Sequence, residues 1–457
     1  MNIYQTIKEE TQGVLNNFAL IEGKRRINYD QLFTLAEKLA QKLKIHGIKP
    51  LDRVAIYCKD SIEYIILNLA VLNINAVVVP MPYLSTAPEK DEIIKKIKVN
   101  FLIDWERKEI KNLENKENLP QEYFDLNPAF IRFSSGTTGA AKGVVLSHEA
   151  IAARTQAANQ ALAINCADTV LWVLPMSFHF VVTILLFLRR GAAIVLCADN
   201  FPLSLLGAAE KHKATFLYAS PFHYQAITRM ENFKKHFLLR ARLAICTAAK
   251  IEPKANREFY DKFGFYLNEA YGVIEAGLPF VNTSGLQKKC GSVGTAVAGW
   301  QVKIENPGAK GIGKILLKGP GMWDAYFCPW HLCATVTQDG FFDTGDLGYL
   351  DSDQFLFIVG REKNIINFAG MKIFPAEVET VINEFPGIAE SLVYAKAHPV
   401  HGEIPAAKIV LSSGQNNLQL DDLRRVMYKR LDKYKVPKEF EVVKTLRKTL
   451  SGKIKRF

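Results

Sequence analysis

The run Ile131-Arg-Phe-Ser-Ser-Gly-Thr-Thr-Gly-Ala-Ala-Lys-Gly-Val-Val145 combines the residue types that phosphate binding needs. Six consecutive small residues, Ser134, Ser135, Gly136, Thr137, Thr138 and Gly139, form a loop between two strand-like apolar segments. Glycines let backbone N–H groups converge on phosphate oxygens, hydroxyls donate further hydrogen bonds, and Lys142 supplies positive charge. This is not a Walker A loop, because Gly143 rather than Ser or Thr follows the lysine. A plain Ser/Gly-rich turn requires neither the lysine nor the flanking strands.

Together, Ser134-Ser-Gly-Thr-Thr-Gly-Ala-Ala-Lys-Gly143 resembles the phosphate loop of the adenylate-forming (AMP-binding) superfamily, which holds acyl- and aryl-CoA synthetases, peptide-synthetase adenylation domains and luciferases. Further motifs of that family follow in order. Tyr271-Gly-Val-Ile-Glu275 resembles its Tyr-Gly-x-Thr-Glu signature, which implies that Tyr271 stacks on adenine and Glu275 helps hold Mg²⁺. A hard divalent cation beside phosphates wants such an oxygen ligand. Asp343-Thr-Gly-Asp346 and Gly360-Arg361 match the elements whose aspartate and arginine reach the ribose. The stretch Arg361–Glu379 resembles the junction that opens the C-terminal domain, with Lys363 on the hinge position. Leu450-Ser-Gly-Lys-Ile-Lys-Arg456 resembles the terminal motif and places the catalytic lysine at Lys453. Apart from the phosphate loop, any one of these short motifs is ordinary loop sequence alone; five in the family's order are not.

The elements that must position these residues are legible from hydrophobic periodicity. Leu32, Leu35, Ala36, Leu39, Ala40 and Leu43 recur at helical spacing, and Gly47 follows as a stop. A short apolar strand (Val54–Tyr57), a helix opened by Asp60 and the run Ala76–Pro80 complete a βαβ pattern. That pattern predicts an α/β fold with a largely parallel sheet covered by helices. Residues 106–127 are polar and read as a surface connection. After Arg361 the pattern becomes a mixed α+β one, with a helix after Pro375, strands around 391–395 and 407–411, a helix containing Leu423 to Leu431, and a last strand at Phe440–Val443. The expected division is therefore an N-terminal ATP- and acid-binding domain, 1–361, and a small mobile C-terminal lid, 362–457, carrying Lys453.

Composition excludes several alternatives. The 457 residues are 49% hydrophobic and 23% charged, ordinary globular usage. No apolar run supplies about 20 clean residues for a membrane span. The acidic, polar start is not a secretory signal, and seven scattered cysteines read as reduced thiols, so a cytoplasmic protein is expected. The formal charge is +12, and residues 433–457 alone hold seven Lys and two Arg against two Glu. That basic end suits an anionic partner, coenzyme A or an acidic carrier protein; nucleic acid is not expected, since the run lacks a stacking motif.

Leu174-Pro-Met-Ser-Phe-His-Phe180 resembles the family's segment lining the acyl pocket, where His179 would act as a gate. Amino-acid-activating relatives place an aspartate here, and this segment has none. A fatty or aromatic acid is thus favoured over an amino acid. The resemblance implies an ATP-dependent carboxylic acid ligase. Acid and MgATP give acyl-AMP and pyrophosphate, then the acyl group passes to a thiol of coenzyme A or the phosphopantetheine arm of an acyl carrier protein. Ile274 in place of threonine and Asn367 in place of lysine point to the alternative, a catalytically weak AMP-binding relative acting as an interaction partner.

Overall fold

The computed structural model describes residues 1–457 apart from 116–118, 135–141, 198–200, 235–237, 239, 309–310, 370, 413, 416–417, 449–453 and 457, and the side chain of Ser134. Two large sheets dominate. One has nine strands in the order 295–296, 280–281, 268–271, 243–246, 216–219, 169–172, 193–196, 18–22, 25–28; its interior neighbours run parallel and its ends antiparallel. The other has eight strands in the order 331–332, 325–326, 142–147, 128–134, 77–81, 53–57, 101–104, 109–112. Strands such as Val77–Met81, buried along their whole length, are apolar throughout, as a sheet covered on both faces requires.

Six elements carry the candidate site. Strand β1 (Pro128–Ser134) ends where the candidate phosphate-binding residues begin, and β2 (Lys142–Ser147) follows them, antiparallel to β1. Helix α1 (His148–Leu162) follows directly, with the Ser147 hydroxyl accepting from the Ala150 amide at 3.0 Å as its N-cap. Strand β3 (Asn268–Tyr271) lies in the nine-stranded sheet. Strands β4 (Phe342–Leu350) and β5 (Leu356–Arg361) form half of a separate four-stranded antiparallel sheet.

Residues beyond β5 build a small α+β unit. Antiparallel strands Ile388–His398 and Gly402–Leu411 pair along their length, and Glu439–Val442 adds in parallel. Helices Pro375–Asn383 and Leu420–Arg430 pack on it around Val378, Ile382, Leu423 and Met427. Pro375 opens its helix where no backbone donor is needed.

Two local expectations are corrected. Ser61, not Asp60, caps the helix Ile62–Asn73, its Oγ accepting from Tyr64 N at 3.3 Å. Asp60 instead accepts from Met176 N, both oxygens at 3.1 Å, and ties the Leu174–Phe180 segment to the eight-stranded sheet. The polar stretch 106–127 is no plain connection. It contributes the edge strand Glu109–Asn112 and a short helix, Gln121–Asp125, whose Tyr123 is fully buried. No helix among the described residues is long and apolar enough to cross a membrane.

Candidate active site

Register brings the ribose candidates together. In the β4–β5 hairpin Asp346 stands directly opposite Arg361, and Arg361 Nε lies 2.8 Å from Asp346 Oδ1. The Tyr271 hydroxyl donates to the other oxygen, Oδ2, at 2.5 Å. Burial, then the Asp346 carboxylate, pushes the Tyr271 hydroxyl far above its ordinary range, so it remains a donor. The turn before Asp346 is set locally. Gly345 adopts φ +68°, and its N–H donates to Asp343 Oδ1 at 2.8 Å. The buried Thr344 hydroxyl donates to Ile315 O at 2.8 Å and accepts from Asp346 N at 3.1 Å. A side chain at position 345 would strain that left-handed backbone.

The loop after β3 turns tightly enough to need its glycine. A Cβ on Gly272 would lie 2.2 Å from Gly277 O. Four residues past Tyr271, Glu275 Oε1 accepts from the Tyr326 hydroxyl at 3.2 Å. Lys142 Nζ lies over the ring of that same tyrosine, 4.3 Å from its centroid. Tyr326 therefore couples the lysine of the phosphate loop to the carboxylate of the Tyr-Gly motif. It is placed by the pairing of strand 325–326 with β2, Tyr326 opposite Val144.

Two arginines, Arg154 buried and Arg132 half-buried, frame this centre. Arg154, on α1, donates to Gly321 O at 2.8 and 2.6 Å, to Ile274 O at 2.9 Å and to Glu275 O at 3.3 Å. It staples the Glu275 loop to the turn before strand 325–326. Gly321 makes room for it, since a Cβ there would meet Arg154 N at 2.4 Å. Arg132, on β1, donates through Nη1 to Phe178 O at 2.8 Å, with its guanidinium 4.9 Å from the centre of the Phe178 ring. Burial pulls both guanidinium groups down to about 10, against the opposing pull of Glu275 on Arg132 and of Asp324, then Glu275, on Arg154.

His179 ends the short helix Met176–His179 and sets its ring 5.8 Å from that of Trp172 and 6.1 Å from that of Tyr218. Lys363 sits in the turn Glu362–Asn364 just after β5, where burial, then Arg361, lowers its ammonium. Asn367 N donates to Glu403 Oε2 at 2.7 Å. His398 and His401 stack on one another at 4.8 Å, and no group of three metal-ligating side chains occurs among the described residues.

Ser135, Gly136, Thr137, Thr138, Gly139 and Lys453 lie outside the described residues, as does the Ser134 side chain. The flanks of 449–453 are nevertheless joined. Lys448 and Ile454 bridge, Lys455 N donates to Arg447 O at 2.8 Å, and Arg456 forks onto Glu379 at 2.8 and 2.7 Å. Part of the basic C-terminal run is thus spent inside its own domain, Lys435 with Glu377 and Lys448 with Glu390 among them.

Sequence reasoning named Lys142, Tyr271, Glu275, Asp346 and Arg361, and missed Arg132, Arg154 and Tyr326. A charged residue in the small, apolar helix face of α1 was the only available signal for Arg154.

The fold and this constellation define an enzyme that handles an adenine nucleotide. The family model for AMP-binding enzymes matches residues 8–327, and that for the AMP-binding enzyme C-terminal domain matches residues 377–453. The chain belongs to this adenylate-forming family. It is 30% identical to YdaB of Bacillus subtilis (strain 168), provisionally named an acyl–CoA ligase, over 96% of this chain and 94% of that protein. It is 26% identical to the feruloyl-CoA synthase of Amycolatopsis sp over 95% and 94% of the two chains. Its fold superposes on ATP-bound MatB from Rhodopseudomonas palustris with a TM-score of 0.88 at 23% identity, covering 99% and 97%. It superposes on Bacillus subtilis o-succinylbenzoate CoA synthetase (MenE) carrying its acyl-adenylate with a TM-score of 0.85 at 22% identity, covering the same shares.

Proposed function

We propose that this enzyme couples MgATP to a carboxylic acid, forming an acyl-AMP and pyrophosphate, and then transfers the acyl group to a thiol. One observation carries the reading. The hydrogen-bonded set Tyr271, Asp346 and Arg361, fit to hold a nucleoside, stands four residues from the Glu275–Tyr326–Lys142 set, fit to hold its phosphates.

In this mechanism Asp346 accepts from the ribose hydroxyls, Arg361 steadies that carboxylate, and Tyr271 covers the base. Ser134 to Gly139 and Lys142 cradle the triphosphate. Glu275 fits Mg²⁺, being a half-buried carboxylate with one lone pair engaged by Tyr326 and others to spare. When bound there, Mg²⁺ supplies charge neutralisation to the phosphates. Lys453 bridges the acid's carboxylate and the α-phosphate, where negative charge is shared in the transition state. Residues 362–457 act as the lid that delivers it, and swing at Lys363 to admit the thiol. The acid is uncharged beyond its carboxyl, fatty or aromatic, with His179 at the pocket wall. Coenzyme A is the favoured acceptor over a carrier protein, because the full-length relatives are named as CoA enzymes. A pyrophosphate-exchange screen across hexanoate, dodecanoate, benzoate, 4-coumarate and the common amino acids tests this. A best signal with a fatty or aromatic acid supports it; a best signal with an amino acid overturns the substrate class.

A further inference from the structure

Arg132 is an unusual residue to find on a strand that feeds a phosphate loop. β1 alternates its faces. Ile131 and Phe133 pack into the cluster around Val79, Ile97 and Val145, whereas Phe130 is stacked on Phe180 at 6.4 Å on the opposite face. Arg132 follows Phe130 on that face, one pleat or about 7 Å nearer the loop. It stands at the boundary between an aromatic floor and the phosphate site.

Its guanidinium is only partly used. Nη1 is committed to Phe178 O, while Nε is sealed from solvent and has no hydrogen-bond partner among the described residues. Nearby, the fully buried Tyr64, whose ring meets Phe180 edge-on at 5.9 Å, presents a hydroxyl that likewise has no partner among those residues. Unpaired buried polar atoms are costly, and two in one place indicate a site that something else completes. The charge Arg132 senses is Glu275, the proposed metal carboxylate. A guanidinium whose Nε donor is uncommitted matches a carboxylate, which such a group grips through two parallel N–H donors.

We infer that Arg132 receives the reacting carboxylate of the acid, through its Nε edge and with Tyr64 beside it, and so holds the nucleophile against the phosphate site before Lys453 arrives. The substrate class is set by the same contact. The acid needs a single carboxylate at the loop end and an apolar body, because Arg132 is spent on the reacting group. This inference rests on the proposed adenylate formation, and its test separates the two.

Pyrophosphate exchange is measured for wild type, Arg132→Met and Arg132→Lys with 4-coumarate and with dodecanoate, and 4-coumaramide serves as a neutral competitor. Arg132→Met should raise the acid KM about 30-fold, with the ATP KM changed less than about twofold. Wild type should bind 4-coumarate about 30-fold more tightly than 4-coumaramide, and Arg132→Met should bind the two alike. Arg132→Lys, which keeps the charge and the fold but not the planar edge, should fall between. An acid KM within about threefold of wild type, or acid and ATP KM rising together, overturns the inference and leaves adenylate formation standing. No exchange by wild type with any acid overturns both.

Discussion

Replacing Asp346 with asparagine removes one negative charge at nearly constant shape, and the structure sets the size of the effect. Both carboxylate oxygens are already engaged, Oδ1 by Arg361 Nε at 2.8 Å and Oδ2 by the Tyr271 hydroxyl at 2.5 Å. Each retains a further lone pair for a ribose hydroxyl. Hydrogen bonds to a charged acceptor contribute about 1.5–3 kcal/mol, against about 0.5–1.5 for neutral ones. Two hydroxyls therefore lose about 2–3 kcal/mol together, which raises the ATP KM about 30- to 150-fold. The asparagine NH₂ must also face either the guanidinium, donor against donor, or the phenol, which must then turn its hydrogen away and accept. Asp346 is buried while Arg361 is 30% exposed. The stability loss should thus fall between the surface and the fully buried limits, about 2 kcal/mol. The assay is pyrophosphate exchange with ATP and with 2′,3′-dideoxy-ATP. Wild type should prefer ATP strongly, and Asp346→Asn should erase most of that preference. If the variant weakens both nucleotides by the same factor, Asp346 shapes the cleft without reading the ribose, and the reasoning fails.

Three further outcomes are expected. Tyr326→Phe keeps the ring beneath Lys142 but deletes the donor to Glu275, so the Mg²⁺ concentration for half-maximal exchange should rise about 5- to 10-fold; an unchanged Mg²⁺ curve refutes the coupling. Gly272→Ala forces a Cβ against Gly277 O and should cost about 1–3 kcal/mol in urea unfolding, with a higher ATP KM; a variant as stable as wild type shows that the turn relaxes freely. His148 is fully buried, its Nδ1 accepting from Ile3 N at 3.1 Å, and burial pulls its imidazole down to about 4 from 6.5. As pH falls below 6.5 the unfolded chain takes up this proton first, so folding stability should drop progressively, by about 3 kcal/mol at pH 4. His148→Gln should flatten that slope in denaturant titrations at pH 7, 5.5 and 4.5; an equally steep slope excludes His148 as its source.

Much of this site was legible because its motifs are local. A Ser/Thr/Gly run ending in lysine states its chemistry within ten residues, and the helix Tyr29–Ile45 announces itself through six apolar residues at helical spacing. Asp346 and Arg361 could be named from their motifs, but their direct contact depends on β4–β5 register, which an irregularity between Leu347 and Gly348 shifts by one residue to set Asp346 opposite Arg361. Tyr326 and Arg154 carry no motif of their own. Each matters through a partner far along the chain, Tyr326 through its pairing beside Val144 and Arg154 through carbonyls at 274, 275 and 321. Arg132 reads in the sequence as part of an apolar strand, and only packing shows its half-buried guanidinium held against Phe178. The misreading of 106–127 has the same origin. Its strand is a polar edge, identifiable only by pairing with Phe101–Asp104.

Acid-dependent exchange of labelled pyrophosphate into ATP, compared between wild type and Lys453→Ala, addresses the central claim most directly. At least one fatty or aromatic acid should support exchange in wild type. The Lys453→Ala variant should lose it by about a hundredfold or more while still binding ATP. Exchange that survives the loss of Lys453, or none in wild type with any acid, contradicts the assignment.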